Sequence, residues 1–389
     1  MPTEAARVDN GSISSTGHSV AFLRYQEGCR VYRVRGAEFE VDSRYSVVSI
    51  VGQGSYGVVC SAVDDVSGTK VAIKKAIGVF DDLIDGRRLW REISLMRLLR
   101  EAGCRNILPL HRVMLPQTPA TFGDVYLVTE LAERDLLASM RMTPVRSDIE
   151  TLRRIAVQLL RCVSDMHHLG VIHRDIKSGN ILLKGLEAYV CDFGLARGGF
   201  HAEQGPPENL VLTDYVVTRW YRAPELLLMC RYGYPVDVWA AAVVLIEFYN
   251  HRAVFAGGDY IQQLKLIAQT VPIDLRSVSF IEESSETALS FLQEIVLKNR
   301  GARPLSQFLE DMPPDGVDLI TKMVVFNPHD RITAHDALRH PFFASVGGDG
   351  RTTPLQMSTS FDFSLDAAVE LTEPRLRRRI IEEAARYKT

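Results

Sequence analysis

The sequence predicts an α+β chain of two lobes, a small mainly β lobe carrying one helix followed by a large mainly α lobe. Two observations carry this. From Tyr45 to Glu130 β-branched runs alternate with turns, and after Leu131 apolar residues recur at helical spacing. A chain of 389 residues, 46% of them hydrophobic, is long enough to bury a core in each lobe.

Residues 1–44 read as an N-terminal head. Met1 to Gly17 is polar and Ser-rich without an apolar signal core, which argues against secretion. In the small lobe, 45–131, strands are expected at Val47–Val51, Val58–Val63, Val71–Lys75 and Val125–Thr129, with a turn at Ser67-Gly68. Leu89, Ile93, Met96 and Leu99 fall at helical spacing and place one helix, which also carries Glu92, against that sheet. The large lobe, 132–343, opens with the stripe Leu152, Ile155, Leu159, Leu160, Val163 and Met166, stopped by Gly170. Val236–Tyr249 is interrupted by Asp237 and Glu247 and is shorter than a bilayer span, so it reads as a buried helix. An insert-like region at 255–303 and helices around Leu319 and Ala337 follow. In the C-terminal extension, 344–389, Arg375 and Arg377–Arg379 alternate with Leu376, Ile380, Ile381, Ala384 and Tyr387, the pattern of a docked helix with a solvated basic face. The active site is expected between the lobes.

Lys and Arg number 45 against 48 Asp and Glu, a net charge of −3 that offers no general attraction for nucleic acid or an anionic membrane. Six scattered cysteines have neither zinc-site spacing nor the density of a disulfide scaffold, which suits the cytoplasm or the nucleus. His167 and His168 are adjacent and point to different faces of a helix, a packing or surface reading rather than a metal site.

Five short motifs then occur in order. Gly52-Gln-Gly54-Ser55-Tyr-Gly57 follows a strand and precedes another strand, the arrangement of a phosphate lid and not of a dinucleotide fold, with Val59 and Ala72 placed to sandwich adenine. Lys74 in Val71-Ala-Ile-Lys74 sits in an apolar strand, where an ammonium needs a carboxylate and a phosphate as partners; Glu92 is the candidate carboxylate. In His173-Arg174-Asp175-Ile-Lys177-Ser-Gly-Asn180, Asp175 can accept a substrate hydroxyl proton and Lys177 can balance charge on a moving phosphoryl group. Asn180 and Asp192, the latter in Asp192-Phe-Gly194, supply hard oxygen ligands for Mg²⁺. Ala223-Pro-Glu225 completes the set. His173 and Phe193 read as packing residues.

This series resembles that of the ATP-dependent protein kinases. Leu212-Thr213-Asp214-Tyr215 to Glu225 narrows the likeness, because it resembles the activation segment of the mitogen-activated protein (MAP) kinases, of the extracellular-signal-regulated type, with a T-D-Y motif. The likeness runs from about Val34 to Tyr387, with the family's own insert near 255–303 and a C-terminal extension that packs back on the small lobe. It implies a bilobal protein-kinase fold and a proline-directed Ser/Thr kinase using ATP and Mg²⁺. Thr129 takes the gatekeeper position, Glu130 and Ala132 the hinge, and Asp135 and Cys191 further places in the ATP pocket. Thr213 and Tyr215 would be phosphorylated by an upstream dual-specificity MAP kinase kinase and reversed by phosphatases. Arg91, Arg174 and Arg197 would clamp phospho-Thr213, and Arg219 and Arg222 would face phospho-Tyr215. Glu225 would pair with Arg331, and Asp237 would brace the catalytic loop. Partners are proteins with Ser/Thr-Pro sites, and the protein is expected to act as a monomer. The chain departs from the family at Ser178-Gly179, where Pro-Ser is usual, at Ala242 in place of Gly, and after Phe343, where an acidic docking cluster is replaced by Ala344-Ser-Val-Gly-Gly-Asp349-Gly-Arg351. Two alternatives stay open: a pseudokinase scaffold, and a proline-directed kinase of the cyclin-dependent or dual-specificity groups.

Overall fold

The computed structural model describes residues 20–54, 57–115, 122–142, 146–198, 218–276, 278–282, 286–298, 301, 303–347, 355, 363 and 372–387. Ser55, Thr213 and Tyr215 lie outside the described residues. The chain forms two compact units, residues 1–78 with 112–129, and residues 79–111 with 130–389.

The first unit is built on strands. β4 (Tyr45–Gly54), β5 (Gly57–Asp64), β6 (Lys70–Ala76), β7 (Leu110–Met114) and β8 (Val125–Glu130) form a five-stranded sheet in the order β4-β5-β6-β8-β7. Before it comes an antiparallel meander that the sequence reading did not anticipate: β1 (Val20–Gln26), β2 (Cys29–Val34) and β3 (Ala37–Asp42). Its two hairpins turn through Glu27-Gly28 and Arg35-Gly36, all four at positive φ, the two-residue turn whose twist suits paired strands. The meander packs on the five-stranded sheet through one core, in which Tyr32, Val34, Phe39 and Val41 meet Val47, Ile73, Tyr126 and Val128. Phe39 stands edge-on to Tyr126 with ring centroids 5.1 Å apart, and the Tyr126 hydroxyl accepts the Glu40 N–H at 3.1 Å.

The second unit is mainly helical. α1 (Leu83–Glu101) starts at the Asp82 cap, whose carboxylate accepts the Ile84 N–H. α2 (Leu136–Met142) and α3 (Ile149–His168) follow, and the apolar stripe expected on α3 is buried at every position. Helix Pro235–Asn250 is buried from Val236 to Tyr249, so it needs no polar face, and Asp237 and Glu247 are enclosed with it. The insert region supplies helices Tyr260–Thr270 and Glu286–Lys298. Glu225 and Arg331, both fully buried, form a two-pronged pair at 2.8 and 3.1 Å.

The sequence reading placed the helix bearing Glu92 within the small lobe; in the structure Val79–His111 groups with the second unit. The reason is a set of contacts to the C-terminal helix Glu373–Arg386. Leu376, Ile380 and Ala384 are buried, Arg97 holds Glu383 at 2.8 and 3.1 Å, and the Tyr387 hydroxyl donates to the Ile93 carbonyl at 3.3 Å. Two arginines of the basic face do more than meet solvent. Arg377 lies over the Phe80 ring at 4.0 Å and Arg379 over Trp90 at 5.3 Å.

Candidate active site

In the second unit the segment after α3 holds two residues in uncommon backbone conformations. Arg174 and Asp192 both adopt positive φ, 68° and 65°, an uncommon backbone for non-glycine residues that persists only where neighbours enforce it. Asp237 does so for Arg174. Its two carboxylate oxygens accept the backbone N–H groups of His173 and Arg174, each at 2.8 Å, from the first turn of the buried helix. Burial pushes the Asp237 carboxyl up, but the hydrogen bond and charge of His167, with the Arg174 N–H, outweigh it and leave the group below the usual range. His167, read from sequence as packing or surface, is therefore a brace for Asp237 at 3.0 Å; its partner is remote in the chain, and no local pattern announces it.

Asp175 is buried, and its two oxygens differ. Oδ2 accepts from Lys177 Nζ at 2.7 Å and from Asn180 Nδ2 at 2.9 Å, while Oδ1 is buried with no hydrogen-bond partner. Burial raises the carboxyl above its usual range; Lys177 works against this and the charge of Asp192 adds to it. Asn180 spends its amide N–H on Asp175, which leaves its oxygen as the acceptor for a cation. The Cys191 N–H donates to the Asn180 carbonyl at 3.0 Å, and this bond ties the Asp192 segment to the loop. Among the described residues no group of three or more His, Cys, Asp and Glu gathers as a metal site; the side-chain oxygens of Asn180 and Asp192 are of the hard kind that suits Mg²⁺. His173 and Phe193 pack edge-on at 4.9 Å, as the packing reading expected.

The arginines assemble around the next residues. Arg91, buried on α1 beside buried Glu92, donates to the Gly194 carbonyl; Arg174 donates to Leu195 O at 3.4 Å; Arg197 donates to Ala196 O at 2.9 Å. Three cations thus share three consecutive carbonyls. Burial first, then the charges of Arg91 and Arg222, pulls the Arg174 guanidinium below its usual value, the condition an arriving anion relieves. Arg219 and Arg222 form a second group at Tyr260: Arg219 lies over the ring at 5.7 Å and Arg222 donates to its hydroxyl at 2.8 Å.

The remaining nucleotide candidates divide between the units. In the first, Gly52 pairs with Val59 across β4 and β5, and Val59 pairs with Lys74 across β5 and β6. Gly57, at φ +141°, closes on Lys75, and any Cβ there would collide with the Lys75 carbonyl oxygen. Gly54 ends β4, and Ala72 and Thr129 are buried. In the second, the Glu130 carboxylate is occupied by Lys184, which lowers it, and its N–H donates to Pro109 O at 3.0 Å. Ala132 follows at partial exposure, and Asp135 accepts the Ala138 N–H at 2.6 Å at the start of α2.

A protein kinase domain model matches residues 45–343. Mitogen-activated protein kinase 7 of Arabidopsis thaliana is 36% identical over 365 residues, 93% of this chain and 94% of its own length. Mitogen-activated protein kinase 6 of Oryza sativa subsp. japonica is 38% identical over 344 residues, 87% of this chain and 88% of its own. Extracellular signal-regulated kinase 1 of Dictyostelium discoideum is 36% identical over 320 residues, 81% of this chain and 58% of its own. Likeness at this level over nearly the whole chain, joined to the loop geometry above, makes the chain a member of the mitogen-activated protein kinase family and a protein serine/threonine kinase.

Proposed function

We propose that the chain transfers the terminal phosphoryl group of ATP, with Mg²⁺, to Ser or Thr followed by Pro in protein substrates, and that phosphorylation of Thr213 and Tyr215 switches it on. The observation that carries this is Asp175: one oxygen is held by Lys177 and Asn180, and the other is buried and without a hydrogen-bond partner. A buried acceptor left unsatisfied costs free energy that a substrate hydroxyl recovers, so the loop is organised for a group that arrives with the substrate.

Protein kinases use ATP and Mg²⁺ in general. Here Asn180 and Asp192 would hold the cation, which when bound neutralises phosphate charge, and Gly52, Gly54, Ser55, Gly57, Val59, Ala72, Lys74, Thr129, Glu130, Ala132, Asp135 and Cys191 would line the nucleotide site. Glu92 would orient Lys74. Asp175 accepts the proton from the substrate hydroxyl, and Lys177 holds the carboxylate in place while balancing charge. Phosphate on Thr213 would be drawn to Arg91, Arg174 and Arg197, and phosphate on Tyr215 to Arg219 and Arg222, since each adds about two negative charges. The partners are then Ser/Thr-Pro proteins, an upstream dual-specificity MAP kinase kinase and phosphatases, met by a monomer in the cytoplasm, with the nucleus as a second location.

A peptide-library assay before and after phosphorylation of Thr213 and Tyr215, verified by mass spectrometry, tests the reading. Phosphorylated protein should be more active by orders of magnitude and select Pro after the acceptor. Equal activity in both states would discard the switch, and indifference to Pro would discard the specificity.

A further inference from the structure

One buried chain of hydroxyls is not used by the chemistry above. Ser178 Oγ lies 2.9 Å from the Tyr221 hydroxyl, which donates to Glu247 Oε2 at 2.7 Å. All three side chains are buried. Tyrosine has one hydroxyl proton, and it goes to the carboxylate. Ser178 must therefore be the donor to Tyr221, so the direction runs Ser178 to Tyr221 to Glu247. Burial raises the Glu247 carboxyl, and the hydrogen bond from Tyr221 opposes it.

The three residues belong to three different parts of the site. Ser178 follows Lys177 and lies three residues beyond Asp175; Tyr221 closes the turn Thr218–Tyr221 that leads to Ala223-Pro224-Glu225; Glu247 stands on the buried helix Pro235–Asn250. That one helix therefore holds the catalytic loop twice, by Asp237 under His173 and Arg174, and ten residues on by Glu247 through Tyr221 under Ser178. On its other side the Thr218–Tyr221 turn is held by the insert region: Trp220 Nε1 donates to Gly257 O at 3.1 Å, and Gln263 Nε2 donates to Trp220 O at 3.3 Å. The position of Ser178 is also one where the related kinases usually have Pro, which has no hydroxyl and cannot make this link.

We infer that Ser178 is a positioning residue that sets the register between the base Asp175 and the turn Thr218–Tyr221, which belongs to the segment whose family likeness implies the preference for Pro, and so tunes how well the residue after the acceptor is read. This rests on the proposed Ser/Thr-Pro specificity. A buried hydrogen bond of this kind is worth about a tenfold change in an equilibrium constant.

The test is steady-state kinetics of the full chain on matched Ser-Pro and Ser-Ala peptides, for wild type, Ser178→Ala, Tyr221→Phe and the double variant, with thermal unfolding of each. Ser178→Ala removes only one oxygen. The expectation is a rise of about tenfold in KM for the Ser-Pro peptide and a smaller preference for Pro over Ala, with KM for ATP unchanged. The double variant should be no worse than the poorer single one, because both cut the same chain of bonds. Wild type without a preference for Pro would refute the specificity reading itself. Wild type with the preference, and Ser178→Ala retaining both KM and discrimination, would overturn the inference on Ser178, as would losses confined to kcat or to thermal stability.

Discussion

At Asp175 the two carboxylate oxygens have opposite duties, and that asymmetry sets what substitution and pH should do. Asp175→Asn keeps the shape and the amide contacts but cannot take a proton, so turnover should fall by about 10² to 10⁴ while nucleotide affinity holds, read by kinetics beside nucleotide titration. The acidic limb of kcat/KM should lie above the ordinary aspartate range, since burial raises this carboxyl and only its ionised form is the base. Lys177 is the cation that lowers it. Lys177→Ala should therefore move the acidic limb to higher pH as well as lower the rate; a limb that stays in place would show that Lys177 does not govern the proton.

Among the elements, helix Pro235–Asn250 is the anchor, and Asp237 is its strongest grip on the loop. Its folded carboxyl lies below the unfolded value of about 3.9, so the stability it contributes is present above that pH and is lost as pH falls through the lower folded value. Asp237→Asn should flatten the acid side of the stability curve and speed amide exchange at His173 and Arg174. Unchanged exchange at those two amides would separate Asp237 from the loop. The pair Glu225 and Arg331 joins other elements with both charges enclosed, so Arg331→Met leaves a lone buried carboxylate and should cost about 3 to 5 kcal/mol by denaturant unfolding. The clamp between Arg97 and Glu383 is milder: Arg97→Ala should raise amide exchange across Glu373–Arg386 and in α1, the helix that carries Arg91 and Glu92.

For the molecule as a whole, ligand linkage is the plainest observable. A nucleotide that binds only the folded chain raises its apparent stability with concentration, so ATP with Mg²⁺ should raise Tm and a chelator should remove most of the gain. Asp192→Asn should keep a shift with nucleotide alone but lose the part that depends on Mg²⁺. A Tm that ignores both ligands would contradict the assignment of Asn180 and Asp192.

What could be read in the chain alone was whatever short-range spacing encodes. The strands carrying Val59, Lys74 and Thr129, the stripe of α3, the buried helix and the catalytic loop all follow from periodicity and from motifs whose residues lie within a few positions of each other. The likeness to a known family then assigned Asp237 and the Glu225–Arg331 pair, which spacing cannot reach. The β1–β3 meander was missed, because its strands are too mixed in polarity to declare themselves and only the Glu27-Gly28 and Arg35-Gly36 turns punctuate it. Only the tertiary structure decided that His167 braces Asp237, that Arg377 and Arg379 lie over aromatic rings, and that Ser178, Tyr221 and Glu247 share one hydrogen-bonded line. Each of these pairs residues far apart in sequence, and a buried polar group takes the partner that the packed fold brings within about 3 Å, whatever its distance along the chain.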